Sequence, residues 1–136
     1  MNSIFLIDDD ADDRSMFCEA LEEVSPNVVC NTAENGSAGL NALRNKEIEL
    51  PDVIFLDINM PVMGGWQCLT ILKSDPVFKD IPVLMYSTSS NPEDIRKAKQ
   101  LGGHSLVTKP CSFQELKKIL EKVVTSLEPN TSKVYC

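Results

Sequence analysis

Three separated pieces of this chain carry residues that could do chemistry together: Asp8-Asp9-Asp10, Asp57 and Lys109-Pro110. Each follows a short apolar run: Ile4-Phe5-Leu6-Ile7, Val53-Ile54-Phe55-Leu56 and Leu106-Val107. Ligands of an open parallel sheet bind outside the carboxyl ends of its strands. If these runs are neighbouring strands, their polar ends form a group of carboxylates facing one lysine. Crowded carboxylates in a partly desolvated site need a counter-charge. Lys109 supplies one charge, and a hard divalent cation would supply the rest. Magnesium takes about six oxygen ligands, commonly one or two carboxylates with waters and a phosphate oxygen. The pieces therefore read as a magnesium site completed by a phosphoryl group.

Asp57 is also a candidate nucleophile, because carboxylates form acyl phosphates. The cation and Lys109 would then stabilise charge on the transferring oxygens. Ser87 follows Val83-Leu84-Met85-Tyr86 and is placed at the same edge, where its hydroxyl can bond a phosphoryl oxygen; Thr88 follows it. Asp10, Asp12 and Asp13 are read differently, as a helix N-cap and first-turn acids that favour the positive end of the helix dipole.

Five apolar runs of strand length recur, at residues 4–7, 28–30, 53–56, 83–86 and 106–107. The first, third and fourth are nearly continuous, as expected of strands buried on both faces. Segments of helical spacing lie between them. The helix after Asp10 is expected to bury Met16, Phe17, Ala20, Leu21 and Val24. Residues 35–46 form a weaker helix, because Gly36 and Gly39 lower its propensity. A helix over 65–73 turns Trp66, Leu69 and Leu72 inward. Asn91-Pro92 starts another and Gly102-Gly103 ends it, with a thin inward stripe of Ile95, Ala98 and Leu101. In the last helix Phe113, Leu116, Ile119, Leu120, Val123 and Leu127 share one face, after a capping box of Ser112 and Glu115. Alternating strands and helices imply right-handed crossovers and an α/β fold with a parallel sheet. Residues 1–127 are expected to form one domain and 128–136 a polar tail.

Composition narrows the function. The 136 residues suit one domain with a real core, and 43% are apolar. A net charge of −7, with no basic run longer than Lys117-Lys118, argues against nucleic acid as a direct partner. No apolar stretch approaches the roughly 20 residues of a membrane span. Met1-Asn2-Ser3 lacks the basic region of a signal peptide, so a cytoplasmic location is expected. The five cysteines form no CxxC pair and are read as buried or incidental thiols, not disulfides or metal ligands. A single histidine, His104, also disfavours zinc.

These residues resemble the receiver domain of two-component response regulators. The likeness runs from Ser3 to about Leu127. It rests on Asp8-Asp9, on Asp57-Ile58-Asn59-Met60-Pro61 with Gly64-Gly65 following, on Ser87 and on Lys109-Pro110. It implies a flavodoxin-like (βα)5 fold with strand order 2-1-3-4-5. It also implies that Asp57 accepts a phosphoryl group from a histidine kinase or a histidine phosphotransfer protein. Asp9, Asp57 and the backbone carbonyl of Asn59 would ligate Mg2+, with Asp8 acting through a water. Lys109 would pair with the acceptor, Ser87 would close onto the phosphoryl oxygen, and the bond before Pro110 would be cis, giving a slow refolding phase.

Two positions depart from the family's pattern. Ser87 stands where the family usually has Thr, keeping the hydroxyl. Leu106 stands at the family's switch-aromatic position and offers no flat ring to move inward. A phosphorylation-driven shift is then expected to run through residues 87–91 and the helix after them. No output module follows the last helix, so a stand-alone receiver is expected that docks to a downstream protein or relays phosphate, as a monomer or weak homodimer. Three other readings compete. An aspartyl phosphatase would need an acid where Asn59 stands, and a flavin or nucleotide binder would place its phosphate against repelling carboxylates. A degenerate receiver would act as a phosphorylation-independent scaffold.

Overall fold

The computed structural model describes residues 1–89 and 91–126. Strands and helices alternate along the chain: β1 (Ser3–Ile7), α1 (Ala11–Val24), β2 (Val29–Ala33), α2 (Gly36–Arg44), β3 (Val53–Asp57), α3 (Gly65–Ser74), β4 (Val83–Ser87), α4 (Pro92–Gln100), β5 (Ser105–Thr108) and α5 (Phe113–Ser126). The strands form one parallel sheet in the order β2-β1-β3-β4-β5. This is the flavodoxin-like order.

Two cores lie on opposite faces of the sheet. On one, Phe17, Ala20 and Leu21 of α1 meet Leu116, Leu120 and Val123 of α5 over Leu6, Phe55 and Tyr86. Phe17, Phe55 and Tyr86 make edge-to-face contacts there, with Phe17 and Phe55 centroids 4.9 Å apart. On the other, Leu40 and Leu43 of α2, Cys68, Leu69 and Leu72 of α3 and Ala98 of α4 cover Phe5, Ile7, Ile54, Leu56 and Met85. Burial on both faces explains why β1, β3 and β4 read as continuous apolar runs.

Helix boundaries follow local chemistry. Asp10 caps α1 by accepting from the amides of Asp12 and Asp13. Asn35 and Asn91 cap α2 and α4 in the same way, and Ser112 accepts from Glu115 N–H at 3.2 Å before α5. Gly102, at φ +94°, turns the chain after α4. Gly39 earns its place in α2 by close approach, because a Cβ there would lie 2.6 Å from the Ile7 side chain.

Several expectations are corrected. β2 runs over Val29–Ala33, not 28–30, because it is an edge strand whose polar Asn31 and Thr32 need no double burial. Met16 is 40% exposed and Ile95 38% exposed, since each stands at the rim of its helix's inward stripe. Cys18 and Cys30 form a disulfide, where thiols were expected. The packing of α1 beside β2 brings their Cα atoms to 5.7 Å, within bridging range, and sequence spacing does not reveal that. Cys68 is a buried free thiol and Cys111 an exposed one. Leu127 and the 128–136 tail lie outside the described residues. Among the described residues no helix is long and apolar enough to cross a membrane.

Candidate functional site

The loops at the carboxyl ends of β1, β3, β4 and β5 enclose a cavity of about 370 Å³ lined by Asp9, Asp13, Asp57, Asn59, Thr88 and Lys109, among others. Its position follows from the register. Ile7 pairs with Leu56, Asp57 with Tyr86, and Ser87 with Thr108, so the residues after these pairs emerge along one edge.

Asp8 is fully buried and Asp57 is 5% exposed. The Asp8 amide donates to Ala33 O at 3.0 Å, and Asp8 Oδ1 accepts from the Asp10 amide at 2.9 Å. Arg14 donates to the Asp8 carbonyl at 2.8 Å. Asp57 Oδ1 accepts from the Asn59 amide at 3.2 Å. Gly65 allows α3 to start directly behind β3: a Cβ there would overlap the Asp57 carbonyl oxygen, while its own amide donates to Ile58 O at 2.8 Å. Between them Met63 N–H donates to Pro61 O at 2.7 Å, in a tight turn that puts Val62 at φ +69°.

Lys109 Nζ enters this acidic group and donates to Asp13 Oδ2 at 2.9 Å and to Asp57 Oδ2 at 3.3 Å. Asp8 Oδ2 lies 3.0 Å from the same ammonium, an ion pair without hydrogen-bond alignment. That buried oxygen makes no hydrogen bond. The Tyr86 ring lies beneath, 5.3 Å from Nζ. Burial pushes the Asp57 carboxyl up to about 7, the Lys109 charge opposing this and the Asp8 carboxylate adding to it. For Lys109, burial alone would favour the neutral amine. Its contacts with Asp13 and Asp8, and the charges of Asp8 and Asp57, outweigh that and hold the pKa above the ordinary lysine value.

The residues fit a divalent cation. Carboxylate oxygens of Asp8, Asp9 and Asp57 lie within 4.8 Å of one another. They are hard oxygen donors, and the unsatisfied Asp8 Oδ2 is an atom that a cation or its bound water would complete.

Of the residues singled out in the sequence, Asp8, Asp9, Asp57, Asn59, Thr88 and Lys109 converge here. Ser87 is 2% exposed at the end of β4, and its hydroxyl oxygen accepts from the Ser89 amide at 3.1 Å. Leu106 does not join them. It lies opposite Met85 in the sheet, half-buried against the core under α3 and α4. The bond between Lys109 and Pro110 is trans, not cis, for the described residues contain no cis peptide bond. Even before proline, trans is favoured by about 0.5–1 kcal/mol, and with it Lys109 already reaches all three carboxylates.

Asp13 was missed. It was read as a first-turn acid, yet it makes the shortest contact with Lys109. A signal was present: Asp13 stands four residues before Phe17, at the top of the stripe continued by Ala20 and Leu21, so it faces the sheet. A larger cavity of about 710 Å³, lined by Leu43, Ile48, Leu50, Val77 and Phe78 among others, includes none of these site residues.

Comparison with known proteins agrees with this geometry. The family model for the response regulator receiver domain matches residues 4–121. Protein PilG of Pseudomonas aeruginosa is 31% identical over 126 residues, covering 93% of this chain and 90% of its own length. A protein-glutamate methylesterase/protein-glutamine glutaminase of Methanococcoides burtonii is 33% identical over 130 residues, and the match spans only 35% of that longer protein. Among solved structures, the phosphorylated cyanobacterial phytochrome response regulator RcpA superposes with a TM-score of 0.85 at 30% identity, over 95% of each chain. The Mn2+-bound form of response regulator Rcp1 superposes at 0.80 with 25% identity, over 92% of this chain and 93% of its own. Fold, edge cluster and matches agree, and the chain belongs to the response regulator receiver domain family.

Proposed function

We propose that this receiver, over residues 1–127, takes a phosphoryl group on Asp57 from the phosphohistidine of a histidine kinase or histidine phosphotransfer protein. The modification then switches binding to a downstream protein or is relayed onward. One observation carries the reading: Asp57 is a buried carboxylate with Lys109 Nζ 3.3 Å away and ligand oxygens of Asp8 and Asp9 within 4.8 Å.

A carboxylate oxygen of Asp57 attacks phosphorus, and the O–P bond forms as the N–P bond breaks. The departing imidazole nitrogen keeps the electron pair and takes up a proton from water. Magnesium would be held by Asp9, Asp57 and the Asn59 carbonyl, with Asp8 acting through water, and supplies positive charge to the transferring oxygens. Lys109 redirects its hydrogen bond from Asp57 Oδ2 to a phosphoryl oxygen, remaining an ammonium. Ser87, whose hydroxyl oxygen accepts from the Ser89 amide, would donate its hydroxyl proton to the same group. The expected location is cytoplasmic.

The test is phosphorylation by acetyl phosphate with magnesium, read by intact mass for wild type and Asp57→Asn. Wild type should gain one phosphoryl group and the variant none. A second reading, a scaffold that binds its partner regardless of phosphorylation, is favoured by Leu106, whose branched side chain sits in the core where the family's switch has an aromatic. It requires identical partner affinity for the phosphorylated and unmodified forms.

A further inference from the structure

Lys109 is held from two sides. Asp57 Oδ2 accepts one of its protons from the end of β3, and Asp13 Oδ2 accepts another from the first turn of α1, 96 residues away in sequence. The Asp13 contact is the shortest of the three carboxylate contacts, at 2.9 Å, against 3.0 Å to Asp8 Oδ2, which lacks hydrogen-bond alignment, and 3.3 Å to Asp57 Oδ2. An exposed ion pair contributes little, but the Lys109 side chain is only 13% exposed, and that of Asp13 37%. Asp13 also stands outside the Asp8, Asp9 and Asp57 cluster. A cation that draws on those three carboxylates therefore leaves the Asp13 contact to the lysine alone. Asp10 fixes the geometry by capping the Asp13 amide at 3.0 Å, which orients the turn that carries the carboxylate.

We propose that Asp13 is the positioning residue for Lys109, keeping its ammonium beside Asp57 so that it meets a phosphoryl group placed there. This rests on the phosphoacceptor reading of Asp57. When Asp57 is modified, its oxygen loses charge and its hold on Nζ weakens. Asp13 then keeps Nζ in the cavity, beside the modified Asp57.

The experiment compares wild type with Asp13→Ala, Asp13→Glu and Asp12→Ala. Asp12→Ala removes the same charge from the same helical turn without touching Lys109, so it controls for the helix dipole and for folding. Two readouts are taken. The first is the Lys109 ammonium signal by nitrogen-15 NMR in metal-free protein, which needs no phosphoryl chemistry. The second is titration with beryllium trifluoride, a phosphoryl mimic, in the presence of magnesium.

The expected result is a slowly exchanging ammonium signal in wild type and Asp12→Ala that is lost in Asp13→Ala. Mimic affinity should fall about tenfold in Asp13→Ala, stay unchanged in Asp12→Ala and recover in part in Asp13→Glu. An unchanged ammonium signal in folded Asp13→Ala overturns the proposal, as does a loss of affinity equal in Asp12→Ala. Wild type that binds no mimic and gains no phosphoryl group would overturn the phosphoacceptor reading, while the ammonium signal still decides whether Asp13 holds Lys109.

Discussion

The backbone N–H of Lys109 donates to the carbonyl oxygen of Ser87 at 2.7 Å, one step beyond the last paired residues of β4 and β5. The hydroxyl-bearing residue and the ammonium-bearing residue are thus neighbours in one ladder. Their positions at the cavity are not independent: a movement of the β4 end carries the Lys109 backbone with it. Ser89 continues this restraint by donating to the Ser87 hydroxyl.

Lys109→Met removes the ammonium that faces Asp8, Asp13 and Asp57. Two of these carboxyls are buried, so the metal-free protein should lose about 3 kcal/mol, read as a lower urea midpoint. A divalent cation no longer competes with the ammonium for Asp8 and Asp57. Magnesium should therefore raise the melting temperature more in the variant than in wild type, while phosphorylation by acetyl phosphate falls sharply. A smaller magnesium response in the variant would contradict the competition.

The Asp57 carboxyl gives the metal-free fold a pH dependence of definite sign. Its pKa is raised from 3.8 to about 7. The folded state therefore binds the proton more tightly than the unfolded chain does. The resulting stability is fully present below pH 3.8 and is lost as pH rises through 7. The loss is on the order of 2–4 kcal/mol. Asp57→Asn should flatten this slope between pH 4 and 7, measured by urea denaturation in chelator.

Gly65→Ala should be among the most damaging single substitutions in the chain. Its Cβ would overlap the Asp57 carbonyl oxygen and lie 2.7 Å from the Ile58 Cα, both backbone atoms that cannot swing aside. A loss of about 3 kcal/mol or more is expected, together with impaired phosphorylation because the end of β3 is displaced. Gly64→Ala is the control: its Cβ would meet only Ile58 O, at 3.7 Å. Urea midpoints of the two variants should differ clearly.

The Cys18–Cys30 disulfide closes a short loop between α1 and β2. Chain-entropy arguments give up to about 3 kcal/mol for a loop of this size. Reductant should therefore lower the melting temperature of wild type and leave that of Cys18→Ser unchanged. Mass measured without reductant should be lower by two hydrogens. Equal masses with and without reductant would mean the thiols remain apart in solution.

What the sequence revealed tracks how completely each element is buried. β1, β3 and β4 were legible because sheet and helices cover both their faces, leaving Ser3, Asp57 and Ser87 at their ends as the polar breaks in otherwise apolar runs. β2 was displaced in the reading because its edge position tolerates Asn31 and Thr32, and these break the apolar pattern. Met16 and Ile95 were placed inward because periodicity gives the centre of a helical stripe better than its rim. The cluster of Asp8, Asp57 and Lys109 was legible because each residue directly follows a strand. Asp13 was not, because an acid in a first turn already has a sufficient local reason to be there, and only the packing of α1 reveals the lysine across from it. The Cys18–Cys30 pairing was hidden for the same reason, since it depends on which helix lies beside the edge strand.

The thin anchoring of α4 has an energetic consequence. Ala98 is its one buried residue, against three each in α1 and α5. Little apolar surface is exposed when such a helix detaches, so its opening free energy lies well below that of global unfolding. Its amides should exchange with solvent by a sub-global route while those of β1 and β3 await complete unfolding. Helix α4 is therefore a reservoir of accessible alternative conformations, joined to a sheet that has almost none.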